Sequence, residues 1–178
     1  MKPREKTLIF FDDFIKTMGL DYMIFASSLL GIIRGGELLE HDAEIDVCVI
    51  GEDITNKIMD NIKASGHFMG EYACSEKFGE TYIAKDGVRT SEKGWIAISP
   101  LWEKNGIGFV NMVDEDCITM DAINHDKKTW GTLKYLGRTF NCPKNPKKWL
   151  EKWYGEDWMT PNDSHWKDNT NRKNWGEI

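Results

Sequence analysis

Residues 40–46 read Glu-His-Asp-Ala-Glu-Ile-Asp, five ionisable side chains in seven positions, and the apolar run VCVI follows at once. Charge set against the start of a buried strand is costly unless it is paired or bound to a cation. Glu44 and Asp46 are two apart, so on a strand both carboxylates leave the same face, with Cα atoms roughly 6.5–7 Å apart. Carboxylates at that separation can converge on one divalent cation. Mg²⁺ suits such a pair, because it takes one or two protein carboxylates and completes its octahedron with water and substrate phosphates. The plain alternative is an edge strand with an acidic solvent face, and Glu-x-Asp alone does not separate the two.

The preceding element sharpens the choice. Tyr22–Ala26 reads as a short buried strand, and Ser27-Ser28 supplies an N-cap for a short helix over residues 29–34 that Gly35-Gly36 ends. A strand that turns into a helix through small residues directs free N–H groups and a helix N-terminus outward, a natural anion site. Serine is also simply a good N-cap. Taken with the acids on the next strand, however, the layout is that of a metal-dependent, phosphate-handling site. His41 and Asp42 adjoin the acids, His41 as a proton relay or an exposed loop residue, and Asp42 as a further acidic group or a turn residue. The aromatics Trp149, Trp153, Tyr154 and Trp158 have helical spacing and read as core before they read as a base-stacking platform. Lys147, Lys148 and Lys152 read as a solvated face or as diphosphate contacts.

These residues need elements to hold them. Leu8, Phe11, Ile15 and Met18 recur at helical intervals over residues 4–18, ahead of Gly19 at a C-cap position. From Glu44 the period becomes two, with Ile45, Val47 and Val49 on one face and Glu44, Asp46 and Cys48 on the other. Ile54, Ile58 and Ile62 predict a helix ending at Gly66. The middle of the chain is strand-like, with Asp86-Gly87 and Asn105-Gly106 as hairpin turns. Tyr135–Cys142 reads as one extended stretch, and Asn145-Pro146 begins a helix closed by Gly155. The last dozen residues are polar apart from two tryptophans, a tail that is ordered only if those rings dock.

Length and composition set the frame. The 178 residues suit a single domain, with 40% hydrophobic and 29% charged residues, as in ordinary globular proteins. No apolar run of about 18 residues occurs, so no membrane span is expected and the location reads as cytoplasmic. Cys48, Cys74, Cys117 and Cys142 are scattered without a C-x-x-C pair and read as reduced thiols. A net charge of −6 argues against non-specific nucleic-acid binding. Residues 1–124 hold 12 Lys+Arg against 22 Asp+Glu, and residues 125–178 hold 11 against 7, so the acidic body is followed by a basic end.

The segment SSLLGIIRGGELLEHDAEID resembles the signature of the LicD/fukutin-related family of the nucleotidyltransferase superfold. Ser28-Leu29-Leu30-Gly31, Arg34, Gly36, Leu38-Leu39, Asp42 and Glu44-Ile45-Asp46 fall in register with that pattern without a gap. Downstream, Phe140-Asn141-Cys142-Pro143, Leu150, Tyr154-Gly155, Trp158 and Pro161 resemble its closing stretch. Ser27 stands where the family has glycine, Glu40-His41 where it has Pro-Trp, and Glu44 where it has aspartate. The family's third carboxylate comes from a later strand; the best match, Phe109-Val110-Asn111-Met112, carries Asn111 there, and Asp114 is the alternative.

The resemblance implies an α/β (α+β) nucleotidyltransferase-like fold, a small mixed sheet flanked by helices with the site at its edge. It implies a Mg²⁺- or Mn²⁺-dependent phosphotransferase moving phosphocholine or a polyol phosphate from a CDP-linked donor to a sugar hydroxyl of a carbohydrate acceptor. Glu44, Asp46 and Asn111 would hold the metal; Ser27, Ser28 and Arg34 would bind phosphate or acceptor; Asp42 or Asp114 would accept the proton. A nucleotidyltransferase that moves the NMP itself, or a non-catalytic binding domain of the same fold, are the other two readings.

Overall fold

Leu8, Phe11 and Ile15 are fully buried, and they form the inward stripe of the first helix, α1 (Pro3–Thr17). Pro3 opens this helix, where a missing N–H costs nothing, and the Lys2 N–H donates to Glu5 Oε2 at 2.7 Å. The computed structural model describes residues 1–50, 57–58, 60–61, 64, 69–72, 80–83, 94–104, 107–114, 117–123 and 127–161. Among them α1 is followed by β1 (Tyr22–Ile24), α2 (Ala26–Gly35), β2 (Glu44–Ile50), β3 (Met69–Tyr72), β4 (Glu80–Ile83), β5 (Trp95–Lys104), β6 (Ile107–Asp114) and β7 (Cys117–Ile123). A 3₁₀ turn (Lys127–Thr129), β8 (Gly131–Tyr135), β9 (Arg138–Cys142) and α3 (Pro146–Tyr154) complete the order. No helix of the described residues is long and apolar enough to cross a membrane.

The strands form one mixed sheet in the order β3-β4-β5-β2-β1-β9-β8, with β6 paired to β5 and β7 beyond it. The β2/β5 and β1/β9 pairs are parallel and the others antiparallel. The mixed α/β architecture expected from the sequence is present. The period-two reading of residues 44–49 holds as well: Ile45, Val47 and Val49 join Leu8, Phe11, Ile15, Leu29 and Ile32 in the main core, while Cys48 packs on the other face with Met23 and Leu101. Ile58 is helical and fully buried; Ile54, Ile62 and Gly66 lie outside the described residues.

One local expectation, at residues 135–142, is refined. The pairing of Lys104 with Ile107 fits a two-residue Asn105-Gly106 turn, whose own residues, like Asp86-Gly87 and the tail from 162, lie outside the described set. Residues 135–142 are a hairpin end and not a single strand, because Leu136 (φ 51°) and Gly137 (φ 73°) turn the chain between β8 and β9. Two successive positive φ values are what a tight hairpin requires, but leucine at the first position hides the signal that Asn-Gly would give. The helix after Asn145-Pro146 forms as expected and ends before Gly155, burying Leu150 and Trp153.

Candidate active site

Asp46 lies on β2, which sits in the interior of the sheet between β1 and β5. The residue is only 6% exposed, which rules out the solvated acidic edge that the sequence left open. Its carboxylate is held by the turn between β1 and α2. Asp46 Oδ2 accepts the Ser27 N–H at 3.0 Å, the Ser28 N–H at 3.3 Å and the Ser27 hydroxyl at 2.6 Å. A carboxylate from a neighbouring strand thus satisfies the orphan N–H groups at the start of α2 and meets the positive end of its dipole.

This cap changes the helix boundary. The sequence placed the serines before a helix beginning at Leu29; α2 begins at Ala26, with Phe25 in the capping position and both serines in its first turn. Ala26 takes φ 46°, a left-handed conformation that favours glycine, and this sharp turn aims the amides at β2. The two serines then do different work. Ser28 Oγ accepts the Asp46 backbone N–H at 2.9 Å, which locks α2 to the strand. Ser27 Oγ faces two carboxylates, Asp46 Oδ2 and Asp42 Oδ2. A hydroxyl has one proton and satisfies one of them at a time. Asp46 Oδ2 keeps the Ser27 and Ser28 amides whichever carboxylate the hydroxyl takes, so two acids stand side by side at one serine.

Asp42 is held in turn by its own loop. Asp42 Oδ1 accepts the Glu44 N–H at 2.9 Å, and the Asp42 N–H donates to the Leu39 carbonyl at 3.2 Å. Structure therefore brings Ser27, Ser28, Asp42 and Asp46 together, with Glu44 adjoining through its backbone and half-buried. All the acidic donors are hard oxygens, the ligand type of Mg²⁺ and Mn²⁺. Among the described residues no trio of His, Cys, Asp or Glu forms a preformed metal cage.

Arg34, His41 and the lysines of α3 stand apart from this group. Arg34 is at the far end of α2, seven residues and roughly 10 Å along the axis from Ser27. Asn111 and Asp114 lie on β6, paired with Met120 and Cys117 of β7; β6 also pairs with β5, the strand that sets Ala97 opposite Asp46. His41 is exposed in the loop, as are Lys147, Lys148 and Lys152 on α3. Trp149 stacks on Trp153 (ring centroids 4.7 Å apart) and meets the edge of Phe25, the residue before the site turn. The cluster is thus a packing face that braces that turn.

One functional neighbour carries no motif. Arg4, 7% exposed on α1, donates from Nη1 to the carbonyls of Leu39 and Asp42. Its stem passes over Gly94, where a Cβ would come within 2.6 Å of Arg4 Cγ and 2.9 Å of the Ala43 carbonyl oxygen. A lone N-terminal arginine gives no sequence signal, and the left-handed Gly94 (φ 67°) that makes room for it gives little more.

The profile of the family described as "LicD/FKTN/FKRP, nucleotidyltransferase domain" matches residues 19–145, more than half of the chain. The chain belongs to that family. Its fold agrees with solved nucleotidyltransferases: a lincomycin-bound lincosamide antibiotic adenylyltransferase, LnuA, is similar with a TM-score of 0.56 at 15% identity, covering 98% of this chain and 99% of that one. The antibiotic-resistance factor ANT(2'')-Ia is similar at a TM-score of 0.49 and 15% identity, covering 92% and 77%. No protein of curated function matches the sequence. Ser27, Ser28, Asp42, Glu44 and Asp46 all lie within the LicD/FKTN/FKRP match, while Arg4 and all of α1 precede it.

Proposed function

We propose that this LicD-family chain is a metal-dependent phosphotransferase that moves a phosphate-linked group, phosphocholine or a polyol phosphate, from a CDP-activated donor to a sugar hydroxyl. The observation that carries the reading is the meeting of Asp42 and Asp46 on the single hydroxyl of Ser27, at the N-terminus of α2 and on an interior strand of a nucleotidyltransferase fold. Asp46 with Glu44 or Asp42 would hold Mg²⁺ or Mn²⁺, with Asn111 or Asp114 of β6 as the further ligand. When bound, the ion supplies charge neutralisation for the donor diphosphate during in-line transfer.

The protein's own groups do the rest by position. The Ser27 and Ser28 amides and the α2 dipole hold the Asp46 carboxylate in one orientation, and the same amides border the place where phosphate oxygens belong. Asp42, hydrogen-bonded by the Glu44 N–H, is a candidate to accept the proton of the attacking hydroxyl, with Asp114 as the other candidate and Arg34 a candidate for the acceptor side. The second reading is transfer of the NMP itself, the chemistry that the adenylyltransferase name of the similar fold describes for that protein. A binding domain without turnover is the third.

Isothermal titration separates these readings. CDP-choline, CDP-ribitol, CTP and ATP are titrated with and without Mg²⁺ into wild type and Asp46→Asn, whose folding is checked by thermal denaturation. Magnesium-dependent binding of a CDP-linked ligand, lost in the variant, supports phosphotransfer. Preference for CTP or ATP moves the assignment to nucleotidyl transfer. Absence of metal-dependent binding to all four refutes both enzyme readings.

A further inference from the structure

The N-terminal end of α1, with its capping Lys2, touches the segment that carries the acids at three points and reaches it at a fourth through Tyr135. Lys2 Nζ meets Glu37 Oε2 at 2.5 Å, and the Arg4 guanidinium donates to the carbonyls of Leu39 and Asp42. Tyr135 of β8 completes the set, since its hydroxyl donates to Glu5 Oε1 at 3.1 Å and accepts the Leu38 N–H at 3.4 Å. The Lys2–Glu37 pair is exposed and contributes little. Arg4 is different, because it is buried and both of its acceptors are main-chain carbonyls of one turn. Burying a guanidinium is costly, and its hydrogen bonds to those carbonyls offset that cost only while the turn keeps its shape.

That turn is also pinned from the sheet. The Trp95 N–H donates to the Ala43 carbonyl at 3.1 Å, and Gly94, without a side chain, lets the Arg4 stem and the Ala43 carbonyl close on the same spot. The backbone of residues 39–43 is therefore held between Arg4 on one side and β5 on the other. The Asp42 side chain that projects from it reaches Ser27 and, through it, Asp46.

We propose that Arg4 is a positioning residue of the carboxylate site, fixing the 39–43 turn so that Asp42 stands against Ser27 and Asp46. The proposal rests on the reading that this acid pair holds a cation, and it lies outside the family match, which begins at residue 19.

Two measurements on the full chain test it, on wild type, Arg4→Met, Arg4→Lys and Gly94→Ala, with Lys127→Met as a surface-charge control. The first is hydrogen exchange, comparing the Glu44 amide, which donates to Asp42, with the amides of Val47–Val49 in the same strand. The second is Mn²⁺ affinity in the presence of CDP-choline. Expected are exchange at Glu44 at least tenfold faster in Arg4→Met with Val47–Val49 unchanged, and Mn²⁺ binding at least tenfold weaker. Arg4→Lys, which keeps donors on a long stem, restores part of both, and Gly94→Ala, which crowds the Arg4 stem and the Ala43 carbonyl together, reproduces both. Acceleration that is uniform along β2 means a role in stability alone and overturns the proposal. So does unchanged Mn²⁺ affinity in Arg4→Met when wild type binds. If wild type binds no Mn²⁺, the functional reading falls, and the site role of Arg4 with it.

Discussion

Gly31→Ala should reverse the usual sign of a glycine-to-alanine change in a helix. In a helix interior, alanine is normally favoured over glycine by about 1 kcal/mol. At Gly31 the added methyl would meet the Glu37 carbonyl oxygen at 2.7 Å and the Leu39 nitrogen at 2.8 Å, against about 3.4 Å for ordinary contact. Both opposing atoms are backbone, so no side chain can rotate away; α2 and the 37–39 segment must separate. Overpacking of this kind costs about 1–3 kcal/mol, and with two rigid contacts the upper half of that range applies. After the propensity gain, the net loss is about 1–2 kcal/mol. Gly35, in the same helix with nothing within 4 Å of its would-be Cβ, is the internal control, and its alanine variant gains about 0.4–1 kcal/mol. Urea denaturation of the two variants beside wild type reads both numbers. At this chain length they correspond to a Tm lowered by roughly 2–8 °C for Gly31→Ala and raised by roughly 1–4 °C for Gly35→Ala. A Gly31→Ala protein as stable as wild type would refute the close approach of α2 to the acid-bearing segment.

Three more outcomes follow from other parts of the molecule. Asp12, 1% exposed, receives the Tyr22 hydroxyl (3.0 Å), Lys16 (2.7 Å) and Arg138 (2.6 Å); Lys16 is exposed and Arg138 keeps Asp13, so Asp12→Ala strands the buried Tyr22 hydroxyl and should cost about 1–3 kcal/mol by chemical denaturation, an unchanged stability being incompatible with this network. Burial raises the Cys142 thiol from 9.0 to about 11 and the Tyr135 phenol from 10.0 to about 12. Both folded values lie above the unfolded ones, so the unfolded chain ionises first and stability, complete below pH 9, falls as the pH rises. Urea midpoints measured from pH 8 to 10 should show the decline below pH 10 flattened in Cys142→Ala, and an identical slope in the two proteins would count against this assignment. Ala26→Gly relieves a left-handed alanine worth about 1–2 kcal/mol, against about 0.4–1 kcal/mol of unfolded-state freedom and about 0.8 kcal/mol for the buried methyl, so thermal melts should show a protein within about 1 kcal/mol of wild type, and a loss of about 2 kcal/mol would count against the left-handed turn.

The sequence carried the local geometry of the site better than its surroundings. The period of Ile45, Val47 and Val49 announced a strand with the acids on its other face, because alternation follows directly from the pleat. The interior position of that strand was not legible, since β5, its partner, begins at Trp95 and pairing over such a distance leaves no mark in either segment. Ser27 and Ser28 were legible as a helix start, but not the carboxylate that caps them, which comes from residue 46 in space. Arg4 was silent because a single arginine on an amphipathic helix resembles any solvated charge. The hairpin at Leu136-Gly137 was missed because a leucine with positive φ contradicts residue preference and is imposed by the strands on either side.

The parallel pairing of β1 with β9 also has a consequence for how the molecule comes into being. Asn141 Nδ2 donates to the Tyr22 carbonyl at 3.0 Å, across 119 positions of chain. Until residues 138–142 leave the ribosome, β1 has one open edge, and the half-built sheet offers unpaired amides to any neighbouring strand. The acid cluster is complete once residue 46 is made, yet the wall beside it closes only when β9, Arg138–Cys142, has followed. Pairings of such long range slow folding, because the loop must close before the contact repays it. Temperature and chaperone supply during expression should therefore govern the yield of this protein more than the intrinsic strength of its central strands.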